Sequence, residues 1–168
     1  MKNQKPDRRK FLNRGFKAAG VAAAVSALGL PAPSKAAKVK AAKKAIYKAG
    51  EKPSPDAIFS PAIQYGNLLF VSGTGPQDPV THKMADGPLQ NQVRQCLENI
   101  KAVVEAAGSS MERVLKCTVF LTDMAKWGEM NAVYHQFFPT DPPARSTIGV
   151  KDLPLGFPVE IECIAYVG

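Results

Sequence analysis

Between residues 54 and 168 the hydrophobic period of the chain changes several times, and each change marks an element. Ala62 to Gly66 and Leu68 to Gly73 are two short, largely apolar runs joined by Gly66-Asn67, so turn chemistry and spacing predict a hairpin. After Pro88, the residues Leu89, Val93, Leu97, Ile100 and Val104 recur at helical intervals and form one apolar stripe that Gly108 stops. Val114 to Leu121 reads as a strand. Asp123 is a good N-cap for a second helix marked by Trp127, Met130, Tyr134 and Phe137 or Phe138, which Pro139 ends. A further strand starts at Arg145. In the last one Val159, Ile161, Cys163, Ala165 and Val167 alternate with Glu160, Glu162, Ile164 and Tyr166, the period-two signature of a strand with one apolar face. The result is an α+β domain. Two helices cover only one face of such a sheet, and the apolar residues on the other face need a partner, so the pattern predicts self-association.

The first 53 residues read differently. Asp7-Arg8-Arg9-Lys10-Phe11-Leu12-Asn13 resembles a twin-arginine motif and precedes an Ala/Gly-rich stretch from Gly15 to Leu30. Ser34-Lys35-Ala36 then offers small residues at the cleavage positions, so residues 1–36 are expected to be an export signal, with Ala37 the mature start. The apolar stretch contains Lys17 and falls short of the roughly 20 residues that a membrane span needs, which favours removal over anchoring. An uncleaved anchor and a plain basic tail are the alternatives. The expected localisation is periplasmic or otherwise extracytoplasmic, with no stable membrane anchor after cleavage. Residues 37–53, rich in Ala and Lys, form a linker, or Ile46 to Ala49 supply a first edge strand.

Charge narrows the function classes. The formal net charge is +8, but residues 1–36 carry eight Lys/Arg against one Asp. Residues 54–168 carry eight basic and twelve acidic side chains, a net charge of −4. A nucleic-acid surface is expected to be basic, so phosphate backbones are disfavoured as its main ligand. His82 and His135 lack the spacing of a zinc site, and no metal is expected. Cys96, Cys117 and Cys163 read as free, buried thiols, with a Cys117–Cys163 disulfide as the alternative if their strands are neighbours in an oxidising compartment. Ser72 has no local base to make it a nucleophile.

Arg145 and the Glu160/Glu162 pair are the residues with the clearest chemistry. An arginine fork holds a carboxylate by two parallel hydrogen bonds and keeps its charge at ordinary pH. The two glutamates share one strand face roughly 7 Å apart, close enough for one to raise the other's pKa and provide a general base. Surface arginines and glutamates also form solvated faces or weak ion pairs, and spacing alone leaves that alternative open.

The wider chain adds an ordered set of motifs. They are Phe59-Ser60-Pro61 through Phe70-Val71-Ser72-Gly73, Gln92 with Asn99-Ile100-Lys101, Glu105-Ala106-Ala107-Gly108, Val119-Phe120-Leu121-Thr122-Asp123-Met124, Met130-Asn131 with Tyr134, Phe137-Phe138, Pro143-Ala144-Arg145-Ser146 and Glu160-Ile161-Glu162. Together they resemble the RidA family, also called YjgF or UK114, the small trimeric enamine/imine deaminases. The resemblance covers residues 54–168 and implies a single chorismate-mutase-like domain with a mixed sheet and two helices on one face. It further implies a homotrimer with its sheets inside and clefts between subunits. The implied activity is cofactor-free, metal-independent hydrolysis of 2-imino or 2-enamino acids of the 2-aminoacrylate type to 2-keto acids and ammonia. Arg145 would hold the substrate carboxylate, main-chain groups near Thr147 the imine nitrogen, and Glu160 the attacking water. Phe59, Ser72 and Asn131 would line the cleft. The family usually has tyrosine in place of Phe59 and cysteine in place of Thr147, and often glutamine in place of Thr74, so one phenol donor is missing. A non-catalytic trimer that binds small carboxylates is the main alternative, and an endoribonuclease is the third.

Overall fold

The computed structural model describes residues 42–48 and 50–168. The expected export signal at residues 1–36 lies outside them. The described residues hold six strands, β1 (Lys43–Ile46), β2 (Ala62–Tyr65), β3 (Leu68–Thr74), β4 (Val114–Leu121), β5 (Ala144–Gly149) and β6 (Val159–Tyr166), and two helices, α1 (Leu89–Ala106) and α2 (Trp127–Phe137). The strands form one mixed sheet in the order β1-β2-β3-β6-β4-β5, in which β4 and β5 are parallel and every other neighbouring pair is antiparallel.

The positions of the helices follow from the connections. β3 and β4 both run antiparallel to β6 between them, so α1 is a crossover between parallel strands, as is α2 between β4 and β5. Both crossovers step the same way across the sheet, and crossovers of one hand then place both helices on the same face. There Val93, Leu97, Ile100 and Val104 of α1 join Leu69, Val71, Val119, Leu121, Val159 and Ile161 of the sheet in one buried core.

Local chemistry sets the element ends. Gly66 takes a left-handed conformation (φ +62°) in the β2–β3 turn, where a Cβ would be strained. Gly108 (φ +77°) ends the α1 region in the same way. Asp123 caps as expected, accepting from Ala125 N at 2.9 Å, although the turn it caps is a short 3-10 helix, Met124–Lys126, that leads into α2. Two expectations need correction. The first edge strand is Lys43–Ile46 rather than Ile46 to Ala49, because Ile46 pairs with Ala62 and β2 does not extend back into Pro61, which has no N–H to give. Trp127 does not join the buried stripe of α2: it is half exposed, and Met130, Val133, Tyr134 and Phe138 bury that face instead.

The second sheet face carries rows read directly from the register. Tyr65, Leu68 and Tyr166 form one, and Ile63, Phe70 and Ile164 the next. Beyond them lie Glu162 with Thr118 and Ser146, and Glu160 with Phe120 and Ile148. Phe70 is 43 % and Ile148 44 % exposed, as the expected apolar face without a helical cover requires.

Candidate functional site

Arg145 lies on β5, the sheet edge, and points to the helix side. Its register partner Cys117 is buried there, opposite Cys163 of β6, so Arg145, Cys117 and Cys163 form one row on one face. Three side chains from one side of α2 seat the guanidinium. Its Nη2 donates to Asn131 Oδ1 at 2.7 Å, its Nη1 lies 3.9 Å from Met130 Sδ, and its carbon stands 4.5 Å from the centroid of the Tyr134 ring. The Tyr134 hydroxyl is buried beside the Cys117 thiol without a well-formed hydrogen bond, and burial pushes it far above the ordinary phenol range. No carboxylate pairs with Arg145 among the described residues, whose ion pairs are Lys48–Glu51 and Lys151–Asp152. A half-buried cation held by an amide and a ring, with no counter-ion, is a ready receptor for a small carboxylate. A cavity of about 440 Å³ opens on it, lined by Arg145, Asn131, Tyr134, Trp127 and Pro143 among others.

Glu160 lies three residues from Cys163 along β6 and therefore on the opposite sheet face. Burial raises its pKa above the ordinary glutamate value, and the like charge of Glu162 adds to the shift. The two glutamates share a face as the alternation predicts, but burial rather than the neighbouring charge is the larger cause. Glu160 opens into a cavity of about 410 Å³ with Phe59, Ser72, Gly73, Gln77, Leu155 and Phe157. The ring of Phe59, 65 % exposed, gives this cavity an apolar wall without a donor. The Ser72 hydroxyl donates to Ser60 O at 2.7 Å, which ties β3 to the segment before β2 and accounts for its proton without catalysis.

The sequence-predicted residues thus fall into two groups. Arg145 and Asn131 belong to one cavity, and Glu160, Phe59 and Ser72 to the other. Thr147 shares the helix-side face with Arg145, in register with Val119, on a strand whose outer edge is unpaired among the described residues. The clamp and the base, read from sequence as one pairing, do not converge within a chain. Period-two geometry separates them, since an odd offset in register sends two side chains to opposite faces, and register is not visible in one sequence. Asn131 bonds Arg145 rather than a neighbouring loop.

Reasoning from sequence missed several members. Gly73 runs directly beside the Glu160 carboxyl, and Phe157 closes on Gly75, so both glycines are needed for close packing rather than for flexibility. Tyr134 read as part of an apolar stripe and of the ordered motifs, not as the ring beneath Arg145. All three cysteines are free and buried; Cys117 and Cys163 are register partners, and burial raises the Cys117 thiol to about 11. No group of metal-ligating side chains occurs among the described residues.

Fold and site define a small α+β protein with an arginine that has no carboxylate partner among the described residues at one sheet edge and a half-buried glutamate on the open face. Residues 49–167 match the family model described as Endoribonuclease L-PSP. The chain belongs to this family, also known as RidA/YjgF. It is 46 % identical over 114 residues to a RutC family protein of Pyrococcus horikoshii, covering 68 % of this chain and 90 % of that protein. It is 38 % identical over 115 residues to the 2-iminobutanoate/2-iminopropanoate deaminase of Dermatophagoides farinae, covering 68 % and 90 %. Among solved structures, E. coli TdcF with bound serine superposes with a TM-score of 0.68 at 36 % identity, covering 74 % of this chain and 99 % of that one.

Proposed function

We propose that the protein is a homotrimeric deaminase that hydrolyses reactive 2-imino acids to 2-keto acids and ammonia at clefts between subunits, each cleft joining the Arg145 cavity of one copy to the Glu160 cavity of the next. The observation that carries this reading is the division of the site: an unpaired arginine and a raised carboxylate each line a separate cavity, on opposite faces of one sheet. A second copy is the economical way to bring them together, and the apolar rows around Phe70 on the open face need covering in any case.

The chemistry asked of these groups is modest. Arg145 holds the substrate carboxylate by a charge-assisted fork and orients the imine carbon toward the second cavity. In this reading, free main-chain groups along the outer edge of β5 near Thr147, two residues from Arg145 on the same strand face, hold the imine nitrogen. Glu160 takes a proton from water as the oxygen attacks the imine carbon and passes it to nitrogen, giving the carbinolamine; it then takes the carbinolamine hydroxyl proton and delivers it to nitrogen as the carbon–nitrogen bond breaks, leaving the keto acid and ammonia. Its raised pKa brings base and conjugate acid closer to the working pH, which suits both steps. No cofactor or metal takes part in this scheme. The relative named as an iminobutanoate/iminopropanoate deaminase and the serine bound to TdcF support a small amino-acid-like substrate. The twin-arginine-like leader makes export part of the same reading, so the substrate would be met outside the cytoplasm.

One observation favours the binding-only alternative: Phe59 offers an apolar ring where a phenol would hydrogen-bond substrate or water. The test is ammonia and keto-acid release from freshly generated 2-aminoacrylate, with Arg145→Ala beside the parent chain. Acceleration over the spontaneous rate that disappears in the variant supports the deaminase. Carboxylate binding that depends on Arg145, without acceleration, supports the binding trimer. The acidic domain surface weighs against an endoribonuclease, and salt-sensitive RNA binding would reverse that judgement.

A further inference from the structure

Asn99 is the only amide or charged residue buried among the described residues, 6 % exposed, and the deamination scheme does not use it. It lies on the inner side of α1 between Cys96 and Val103, both buried. Its amide nitrogen donates to two carbonyls of one loop, Gly75 O at 3.2 Å and Gln77 O at 2.7 Å, and its oxygen accepts from Gln95 Nε2 at 3.1 Å. That loop follows β3 and forms a wall of the Glu160 cavity. At the end of β3 that leads into it, a Cβ at Gly73 would lie 2.9 Å from Glu160 Cδ, and in the loop itself one at Gly75 would lie 3.0 Å from Phe157 Cζ.

We infer that Asn99 is a positioning residue: from α1 it pins Gly75 and Gln77, the segment that continues β3 past Gly73 and walls the cavity in which the Glu160 carboxylate is seated. This inference rests on the Glu160 assignment made above. The wall keeps water from one side of the carboxyl, and burial is the larger cause of its raised pKa. Other groups do not account for the seat. Glu162 faces the same side from β6, Phe120 of β4 is uncharged, and Cys96 of α1 is held neutral by burial. No other charged side chain lines the cavity among the described residues.

The test is a carboxyl-carbon NMR titration of Glu160 in the full chain and in Asn99→Ala, with pyruvate affinity and melting temperature measured alongside. Asn99→Ala should move the Glu160 midpoint down toward the ordinary glutamate range. Pyruvate affinity, which reads the Arg145 fork, a group that shares no partner with Asn99, should stay within about twofold. A lower melting temperature with the Glu160 midpoint unmoved would mean that Asn99 is merely structural and would overturn the inference. If Asn99→Ala does not fold, Gln95→Ala, which removes one bond to Asn99, is read the same way: a smaller downward move is expected, and none overturns it. The titration needs no turnover, so an inactive parent chain would sink the deaminase reading while leaving this test intact.

Discussion

Gly73→Ala separates the seating of Glu160 from the stability of the fold. Gly73 is not among the residues with positive φ, so alanine fits its backbone and only the added methyl matters. The new Cβ would lie 2.9 Å from Glu160 Cδ and closer still to Oε1. Carbon contacts relax at about 3.5–4.0 Å, so the carboxyl must withdraw by about 1 Å. It is the free end of a flexible side chain facing a cavity, so the movement should cost little stability, and lower chain entropy returns about 0.4–1 kcal/mol. A displacement of about 1 Å in a catalytic group costs about 100-fold in rate, close to 2.7 kcal/mol of barrier. The expected result is a melting temperature within a few degrees of the parent and a turnover of 2-aminoacrylate about 100-fold lower. Gly75→Ala is the contrast. There the obstacle is the Phe157 ring, which cannot swing away, so overpacking of about 1–3 kcal/mol should appear as a lower melting temperature. Parent-like turnover in Gly73→Ala, or a loss of activity explained by melting, would refute the argument.

Glu160→Gln should lower turnover by about 10²–10⁴-fold and leave carboxylate affinity nearly unchanged. The same variant should alter the pH dependence of stability. Because the folded-state pKa of Glu160 is raised, the folded chain binds more protons than the unfolded one between the ordinary glutamate value and the raised one, and stability falls as pH rises through that window. Glutamine removes this loss, so Glu160→Gln should melt higher than the parent at neutral pH; equal melting curves across the range would contradict the assignment. Arg145→Ala should weaken pyruvate binding about 10- to 150-fold, the equivalent of losing charge-assisted bonds of about 1.5–3 kcal/mol, as read by calorimetry. Tyr134→Phe should bind normally, since the hydroxyl makes no hydrogen bond to Arg145, whereas Tyr134→Leu should lose severalfold through the missing ring, worth about 0.5–2 kcal/mol.

The elements were legible wherever local chemistry decides them. Gly66-Asn67 demanded a turn, the Leu89-to-Val104 stripe demanded a helix, and the alternation from Val159 placed both glutamates on one face. Errors occurred where a long-range partner decides. The bounds of β1 depend on where β2 can accept pairing, and the exposure of Trp127 depends on how α2 is rotated against α1. The site residues were recognisable by type, but their division between two faces depends on the register of β4 with β5 and β6. Asn99 had a signal that went unread: an amide three residues from Cys96 and four from Val103 occupies a buried helical position and must find partners.

The central claim is that one cleft takes Arg145 from one copy and Glu160 from another, and subunit mixing tests it most directly. Arg145→Ala and Glu160→Gln chains, each inactive alone, would be unfolded, mixed in equal amounts and refolded together. In a cyclic trimer a cleft is intact when an Arg145→Ala chain supplies Glu160 and a Glu160→Gln chain supplies Arg145, which random assembly gives in about a quarter of clefts. The account predicts recovery of about a quarter of the parent turnover. Mixed trimers that form, as shown by mass spectrometry, yet stay as inactive as either variant alone would contradict it.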